Sequence, residues 1–193
     1  SFDKVARAMG LPYPGGPEID RLAKEGDSHA FTFPTIQLSD GSLDFSFSGL
    51  KTAALNFINQ QEQKHGKESF DLKLKQDFAA SFQEAVVDQL VNRSRLILQD
   101  HPGQRFAIAG GVAANSRVRA KLGQLAEELG KTFYVPPLKY CGDNAAMVAS
   151  LTEILHLQAQ KPASLSLNPT ASWDAELYQQ NPHTHTRSRK SRK

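Results

Sequence analysis

A pair of glycines followed by an asparagine is the first feature of the sequence that could support chemistry. Gly110 and Gly111 come directly after a short apolar run, and Asn115 follows four residues later. Glycines let a ligand approach the backbone, and the free N–H groups at a helix start can hold an anion. Asn115 adds a donor and an acceptor. Spacing alone favours a simpler interpretation, a tight strand-to-helix turn with Asn115 as N-cap. The pattern is neither a Walker loop nor a dinucleotide-binding fingerprint.

An acidic residue follows the second apolar run of the same region. Asp143 lies where open α/β sheets bind ligands, and a carboxylate at that edge could bind a hard metal ion. The alternative, which spacing alone favours, is that Asp143 caps the next helix. Cys141, two residues earlier, is more typical of a buried apolar side chain than of a reactive one.

A stiff loop that contains glycine is predicted over Tyr13–Pro17, where two prolines restrict the backbone and two glycines open it. Such a loop suits a close approach to a sugar or a base. Asp20, four residues after Gly16, could accept hydrogen bonds from ribose hydroxyls. Without other information an ordinary helix connection is the better interpretation, with Asp20 and the earlier Asp3 as solvated helix charges.

Other kinds of catalytic site find no support in the sequence. None of the six histidines belongs to a His-Glu-x-x-His pair, and no Ser–His–Asp set can be singled out. Over Leu43–Thr52 phenylalanines alternate with small polar residues. This pattern predicts a strand-like entry that packs two rings into the core rather than a catalytic segment.

The hydrophobic pattern assigns these residues to a small set of elements. The predicted helices are Asp3–Met9, Pro17–Gly26, Ser48–Gln63, Leu72–Gln99, Ser116–Leu129 and Ala145–Leu157, and the predicted buried strands are Arg105–Ala109 and Thr132–Pro136. Strands and helices alternate in the second half, which predicts an α/β unit with a parallel pair of strands. Two strands make a small sheet, and the sequence opens inside a helical pattern without Met. We therefore expect a fragment.

Composition and charge limit the class of protein. A hydrophobic fraction of 39% and a charged fraction of 22% predict a folded core. No apolar run approaches the ~20 residues of a membrane span. The single cysteine excludes an internal disulfide and favours a cytoplasmic setting. The net charge of +3 depends on five cations among the last seven residues, without which the remainder carries −2. Charge therefore gives no argument for a nucleic-acid surface on the folded part.

The predicted organisation is one lobe followed by a trailing segment. The lobe covers residues 1–158, with a helical part over about 1–100 and an α/β part over about 104–158. Residues 159–193 are polar, punctuated by prolines and basic at the end, which predicts a disordered tail.

Six segments, in order along the chain, resemble those of the tRNA threonylcarbamoyladenosine transferases. This universal family was once named O-sialoglycoprotein endopeptidase or glycoprotease. The match covers about residues 1–157, and six ordered motifs are far more specific than any one of them. The segments are Phe2–Ala6, Leu11–Pro17, Leu43–Thr52, Ala80–Asp88, Ala109–Asn115 and Asp143–Met147.

The resemblance implies a fold and an activity. The fold would be the actin-like ATPase superfold, which is ribonuclease-H-like (ASKHA), here as an incomplete second lobe with a helical insertion. The activity would transfer threonylcarbamoyl from threonylcarbamoyl-adenylate to the exocyclic amine of the adenosine next to the anticodon of tRNA, with adenylate as the leaving group. Partners would be tRNA, the N-terminal lobe of the same enzyme and accessory proteins of the pathway, without a membrane.

The resemblance also assigns site residues, and it makes the functional interpretation of the glycines and of Asp143 the better one. Nucleotide contacts would come from six residues: Asp3, Gly16, Asp20, Gly110, Gly111 and Asn115. Asp143 would be one ligand of a single divalent metal, usually iron and sometimes zinc. No side chain stands out as a general base.

The chain also departs from the family pattern. The two histidine ligands of the family's His-x-x-x-His motif have no counterpart, and neither does the first lobe with its phosphate loop. Asp143 alone would bind a metal weakly. Three readings therefore remain open: part of a transferase, a truncated relative that binds nucleotide or partner proteins without turnover, and the old protease label, which lacks a nucleophile or metal triad here.

Overall fold

The first part of the chain is helical because its apolar residues recur at helical spacing. The computed structural model describes residues 1–35, 45–66, 70–101 and 103–159. Helix α1 spans Phe2–Ala8 and α3 spans Ser48–His65, within two residues of their predicted bounds. Helix α2 spans Gly15–Ala23 and begins two residues before the predicted start at Pro17. The first turn of α2 therefore contains both glycines that the sequence assigned to a loop.

Helix α4 is the central element of the fold. It spans Leu72–Asp100, close to the predicted Leu72–Gln99, and Asp71 caps its start by accepting the Leu74 N–H at 2.8 Å. Because α4 has buried residues on several faces, it contributes to two hydrophobic clusters. One cluster joins it to α1, α2 and α3, and the other joins it to the α/β unit.

The first cluster is rich in aromatic rings. Phe78 of α4 lies at its centre, and the ring centroids of Phe31, Phe33, Phe57 and Phe70 lie 5.1–5.7 Å from its own. Its largest fully buried side chains are Phe78, Phe82, Ile19, Leu50 and Ile58. Phe47 packs against the same cluster, but Phe45 is 45% exposed and stacks on Phe47 at 6.2 Å. The prediction of two rings packed into the core was therefore wrong for Phe45.

The second part of the chain forms the predicted α/β unit. Strands β1, Arg105–Ala107, and β2, Thr132–Tyr134, pair in parallel with Phe106 opposite Phe133. Helix α5, Ser116–Glu128, connects them and contributes Val118, Leu122 and Leu125 to the second cluster. One short 3-10 turn, Gly111–Ala114, lies between β1 and α5, and another, Leu138–Tyr140, follows β2.

The strands differ from prediction in length and in burial. Each has three residues instead of the five predicted. Each was expected to be fully buried, yet only the central residue of each, Phe106 and Phe133, packs against the second cluster. Their neighbours Ala107 and Tyr134 are exposed, because no described residue covers the other face of the two-stranded sheet.

The last described helix, α6, spans Ala145–Leu157, as predicted, and it has no buried residue. The chain divides inside this helix into two units, Ser1–Val148 and Ala149–Lys193, and the cavity described below belongs to the first. The predicted boundary at residue 158 stays a prediction. Of the predicted tail, only Ala159 lies within the described residues. None of the described helices combines the length and the apolar character that a membrane crossing requires.

Candidate nucleotide site

The starts of α1, α2 and α5 border an open cavity of about 640 Å³, named here the α2–α5 cavity. Its volume lies within the range of small-molecule sites, roughly 300–1,000 Å³. Five of the six predicted nucleotide contacts line it: Asp3, Gly16, Asp20, Gly111 and Asn115. These residues are up to 112 positions apart in the sequence, so the fold has brought separate motifs to one place.

Asp3 has a structural partner, in contrast to the solvated charge expected from the sequence alone. Its Oδ1 accepts the backbone N–H of Gly15 at 2.8 Å and thereby caps the start of α2 from α1. Gly15 must be glycine because a Cβ there would lie 2.5 Å from the Cβ of Ala6 and 2.9 Å from the Cα of Asp3. The close approach of α1 and α2 thus depends on both residues.

Gly16 has the opposite environment. A Cβ placed there would have no heavy atom within 4 Å, and the residue lines the cavity. It lies in the first turn of α2, where backbone N–H groups have no partner within the helix. Such a position allows an anion or a hydroxyl to approach the backbone directly.

Asp20 connects two elements that are distant in sequence. Its Oδ1 accepts the backbone N–H of Ser116 at 3.2 Å and the Ser116 hydroxyl at 2.7 Å. Asp20 therefore has a structural partner in addition to the solvent contact expected from spacing alone. Because Ser116 is the first residue of α5, Asp20 holds the start of α5 against α2 while also lining the cavity.

The two glycines after β1 serve different purposes. Gly110 adopts φ +81° and ψ 179°, a conformation that side-chain-bearing residues rarely reach. Gly111 opens the 3-10 turn, lines the cavity and has no heavy atom within 4 Å of a hypothetical Cβ. Gly110 is absent from the cavity wall, so it shapes the turn and Gly111 provides the open backbone.

Asn115 is both an N-cap and a cavity residue. Its Oδ1 accepts the Val118 N–H at 3.0 Å, which confirms the capping interpretation. Its Nδ2 donates to Oε1 of Gln83 on α4 at 2.7 Å. The capping and ligand-binding interpretations are therefore compatible, because one side-chain amide has two N–H donors and two acceptor lone pairs.

Two cationic side chains also line the cavity. Arg21 donates to Glu18 at 2.8 Å on the same helix, and Lys24 lies one turn further along. Together with Asp3 and Asp20 they give the cavity charges of both signs. This combination suits a ligand that carries hydroxyl donors at one end and an anion at the other.

Asp143 does not line this cavity. The cap of α6 is its neighbour Asn144, whose Oδ1 accepts the Met147 N–H at 3.0 Å, so the capping interpretation of Asp143 was wrong. Within the described part of the chain, no group of three or more His, Cys, Asp or Glu residues could hold a metal ion. A single exposed carboxylate does not make a metal site, so these residues do not by themselves fit the implied metal.

Arg119 is a residue of this region that no sequence pattern indicated. Its Nε donates to the Ala113 carbonyl at 2.5 Å, and its Nη2 donates to the Pro136 carbonyl at 2.6 Å. Nη2 also lies 3.0 Å from the buried Cys141 sulfur. Arg119 thus joins the turn after β1 to the loop after β2. An arginine inside a helix carries no sequence signal for such a role, since long-range partners decide it.

Comparison with known proteins identifies the family. The family model TsaD, tRNA N6-adenosine threonylcarbamoyltransferase, matches residues 1–150. The chain belongs to this family. The match includes every residue that lines the α2–α5 cavity, as well as Asp143.

Individual members of the family are similar over most of the chain. A protein of this name from Fervidobacterium nodosum is 48% identical over 149 residues, which are 77% of this chain and 43% of the relative. One from Clostridium botulinum is 44% identical over 168 residues, 87% of this chain and 48% of the relative. One from Clostridioides difficile is 47% identical over 148 residues, which are 77% of this chain and 42% of the relative. The chain therefore spans less than half the length of these relatives.

Proposed function

We propose that this chain supplies the nucleotide-binding part of an enzyme that transfers threonylcarbamoyl to tRNA adenosine. The observation that carries the proposal is the α2–α5 cavity, because five of six predicted nucleotide contacts line it. Its ligand would be the adenylate part of threonylcarbamoyl-adenylate. The names of the relatives support the tRNA substrate and the reaction.

In this proposal, different cavity residues bind different parts of the nucleotide. The open backbones at Gly16 and Gly111 allow the nucleotide to approach within hydrogen-bonding distance of the main chain. Carboxylates of Asp3 and Asp20 accept ribose hydroxyls through the oxygens that the helix contacts leave available. Arg21 and Lys24 stabilise the phosphate charge.

The reaction that this arrangement supports is acyl transfer. The exocyclic amine of the tRNA adenosine attacks the threonylcarbamoyl carbonyl, a C–N bond forms, and the bond from that carbon to the phosphate oxygen breaks. The amine loses a proton and adenylate departs. The contribution of this chain is to hold the adenylate in place, which converts a bimolecular encounter into a positioned one.

The remaining parts of the proposal concern the fold, the metal and the partners of the whole enzyme. We propose the actin-like superfold, in which this chain is part of the second lobe and the N-terminal lobe of the same enzyme completes the cleft, with accessory proteins of the pathway as further partners. Asp143 would contribute one ligand to a metal ion, iron or zinc, and the other ligands would come from the N-terminal lobe. The cytoplasmic setting favoured by the single cysteine stays a prediction.

The test is transfer of threonylcarbamoyl from threonylcarbamoyl-adenylate to a tRNA transcript, detected as the modified nucleoside by mass spectrometry. We expect no turnover from the 193-residue chain alone, because one side of the cleft is not built from its described residues. We expect turnover when the chain is joined to an N-terminal lobe from a relative. Robust modification by the isolated chain would refute this division of roles. Adenylate binding without transfer by the completed protein would favour a non-catalytic relative.

A further inference from the structure

A buried glutamine of α4 contacts the cavity only through another side chain. Gln83 is 5% exposed, and its Oε1 accepts the Nδ2 of Asn115 at 2.7 Å across 32 residues of sequence. It belongs to the segment Ala80–Asp88, which contributes to the family resemblance but supplies none of the predicted site residues. Gln83 itself does not line the α2–α5 cavity.

From this contact we infer that Gln83 is a positioning residue, which fixes the orientation in which Asn115 meets the ligand. The inference rests on the proposed function. Asn115 would cap α5 without Gln83, because the cap uses Oδ1 and the Val118 N–H. The contact with Gln83 therefore adds something that capping does not need. It holds the Nδ2 end of the amide toward α4.

The contact determines what Asn115 can offer to a ligand. With Oδ1 holding Val118 and Nδ2 holding Gln83, one N–H donor and one acceptor lone pair of the amide remain. Both project from a side chain whose two ends are already fixed. A ligand then binds without the entropy cost of ordering this amide.

The burial of Gln83 makes the orientation strict. A buried acceptor without a hydrogen-bond donor destabilises the fold. Asn115 is therefore held in the rotamer that donates to Gln83. The next residue of α4 acts in the same region, since Glu84 accepts two N–H groups of Arg117 at 2.7 and 2.8 Å. Gln83 and Glu84, which are consecutive in α4, thus hold the N-cap of α5 and Arg117 in its first turn.

The test measures AMP affinity by ligand-observed NMR, on the chain together with any residues that precede it in the gene. Gln83→Leu and Gln83→Met remove the acceptor, and we expect each to weaken AMP binding about fivefold, the equivalent of one ordinary hydrogen bond. Gln83→Glu keeps an acceptor of the same shape and should restore affinity close to that of the unmodified protein. Circular dichroism of each variant checks that it is folded.

A matched control is available on the same helix. Gln89 is 7% exposed and donates to the Ser46 carbonyl at 2.6 Å, but it does not line the α2–α5 cavity. Gln89→Leu should leave AMP affinity unchanged. Normal affinity in both apolar Gln83 variants, or an equal loss in Gln89→Leu, would overturn the positioning role. Absence of AMP binding by the unmodified protein would instead overturn the proposed function.

Discussion

Adjacent glycines at the start of α2 illustrate how one residue type can be required for two unrelated reasons. At Gly15 the neighbouring helix leaves no room for a side chain, since the Cβ of Ala6 would be 2.5 Å away. At Gly16 there is free space, and that space belongs to the α2–α5 cavity. Packing explains the first glycine, and we propose ligand access as the reason for the second.

Alanine substitution should separate these two roles. We expect Gly15→Ala to destabilise the fold by roughly 1–3 kcal/mol, because α1 and α2 must move apart. Gly16→Ala should leave stability unchanged or slightly higher, because alanine favours a helix. Its methyl group would enter the cavity and weaken AMP binding. Urea unfolding and ligand-observed NMR on both variants measure the two effects, and equal stability losses would contradict the assignment.

At the scale of elements, α4 positions the loops of the molecule through polar side chains that the hydrophobic pattern does not reveal. The Ser81 hydroxyl donates to the Asp27 carbonyl at 3.0 Å and accepts the Phe31 N–H at 3.1 Å. Gln83 and Glu84 hold the start of α5. An amphipathic helix would be expected to point such residues toward water, yet Ser81 and Gln83 are buried.

Because of the contact between α4 and α5, the free energy of unfolding should decrease as the pH is lowered into the acidic range. Hydrogen bonds from Arg117, with a further contribution from Lys121, lower the pKa of Glu84 from 4.5 to about 2. A lowered carboxyl pKa gives stability that is fully present above pH 4.5 and is lost as the pH falls toward 2. We expect a contribution of order 2 kcal/mol after allowance for solvent screening.

The measurement is the free energy of unfolding in urea between pH 7 and pH 2.5. Glu84→Gln should unfold more easily at pH 7 and should lose less stability on acidification than the unmodified chain. Glu128→Gln is the control, because Glu128 also has a lowered pKa, from its hydrogen bond with Arg95, but its side chain is 41% exposed. A control variant as unstable as Glu84→Gln would argue against a specific role for the α4–α5 contact.

Element bounds and site contacts differed in how far the sequence could predict them. The periodicity of Phe78, Phe82 and Val86 predicted α4 almost to the residue, because burial of one face repeats along a helix. The contact between Asp20 and Ser116 spans 96 residues and has no local pattern. The candidate nucleotide contacts were assigned through a resemblance and stay a prediction. The packing and capping partners of these residues could not be predicted, because such contacts depend on how separate helices pack together.

At the scale of the whole molecule, the chain exposes apolar surface that a stable protein would cover. Helix α6 is rich in apolar residues, which is typical of a helix packed against a partner, yet Val148 is 67% exposed and Leu157 is 78% exposed. In the α/β unit, Tyr134 is 51% exposed on the uncovered face of the sheet and Leu138 is 64% exposed. Apolar patches of this kind mark interaction surfaces or cause association.

The isolated chain should therefore self-associate. Sedimentation velocity over a concentration series should show species larger than the 21.2 kDa monomer. Leu151→Glu with Ile154→Lys places two charges on apolar positions of α6 and should shift the distribution toward monomer. Ala149→Lys with Ser150→Glu introduces the same charges at small or polar positions of the same helix, and it should have little effect. A monomer with a sharp two-state melt before any substitution would show that the exposed face of α6 needs no cover, which its composition argues against.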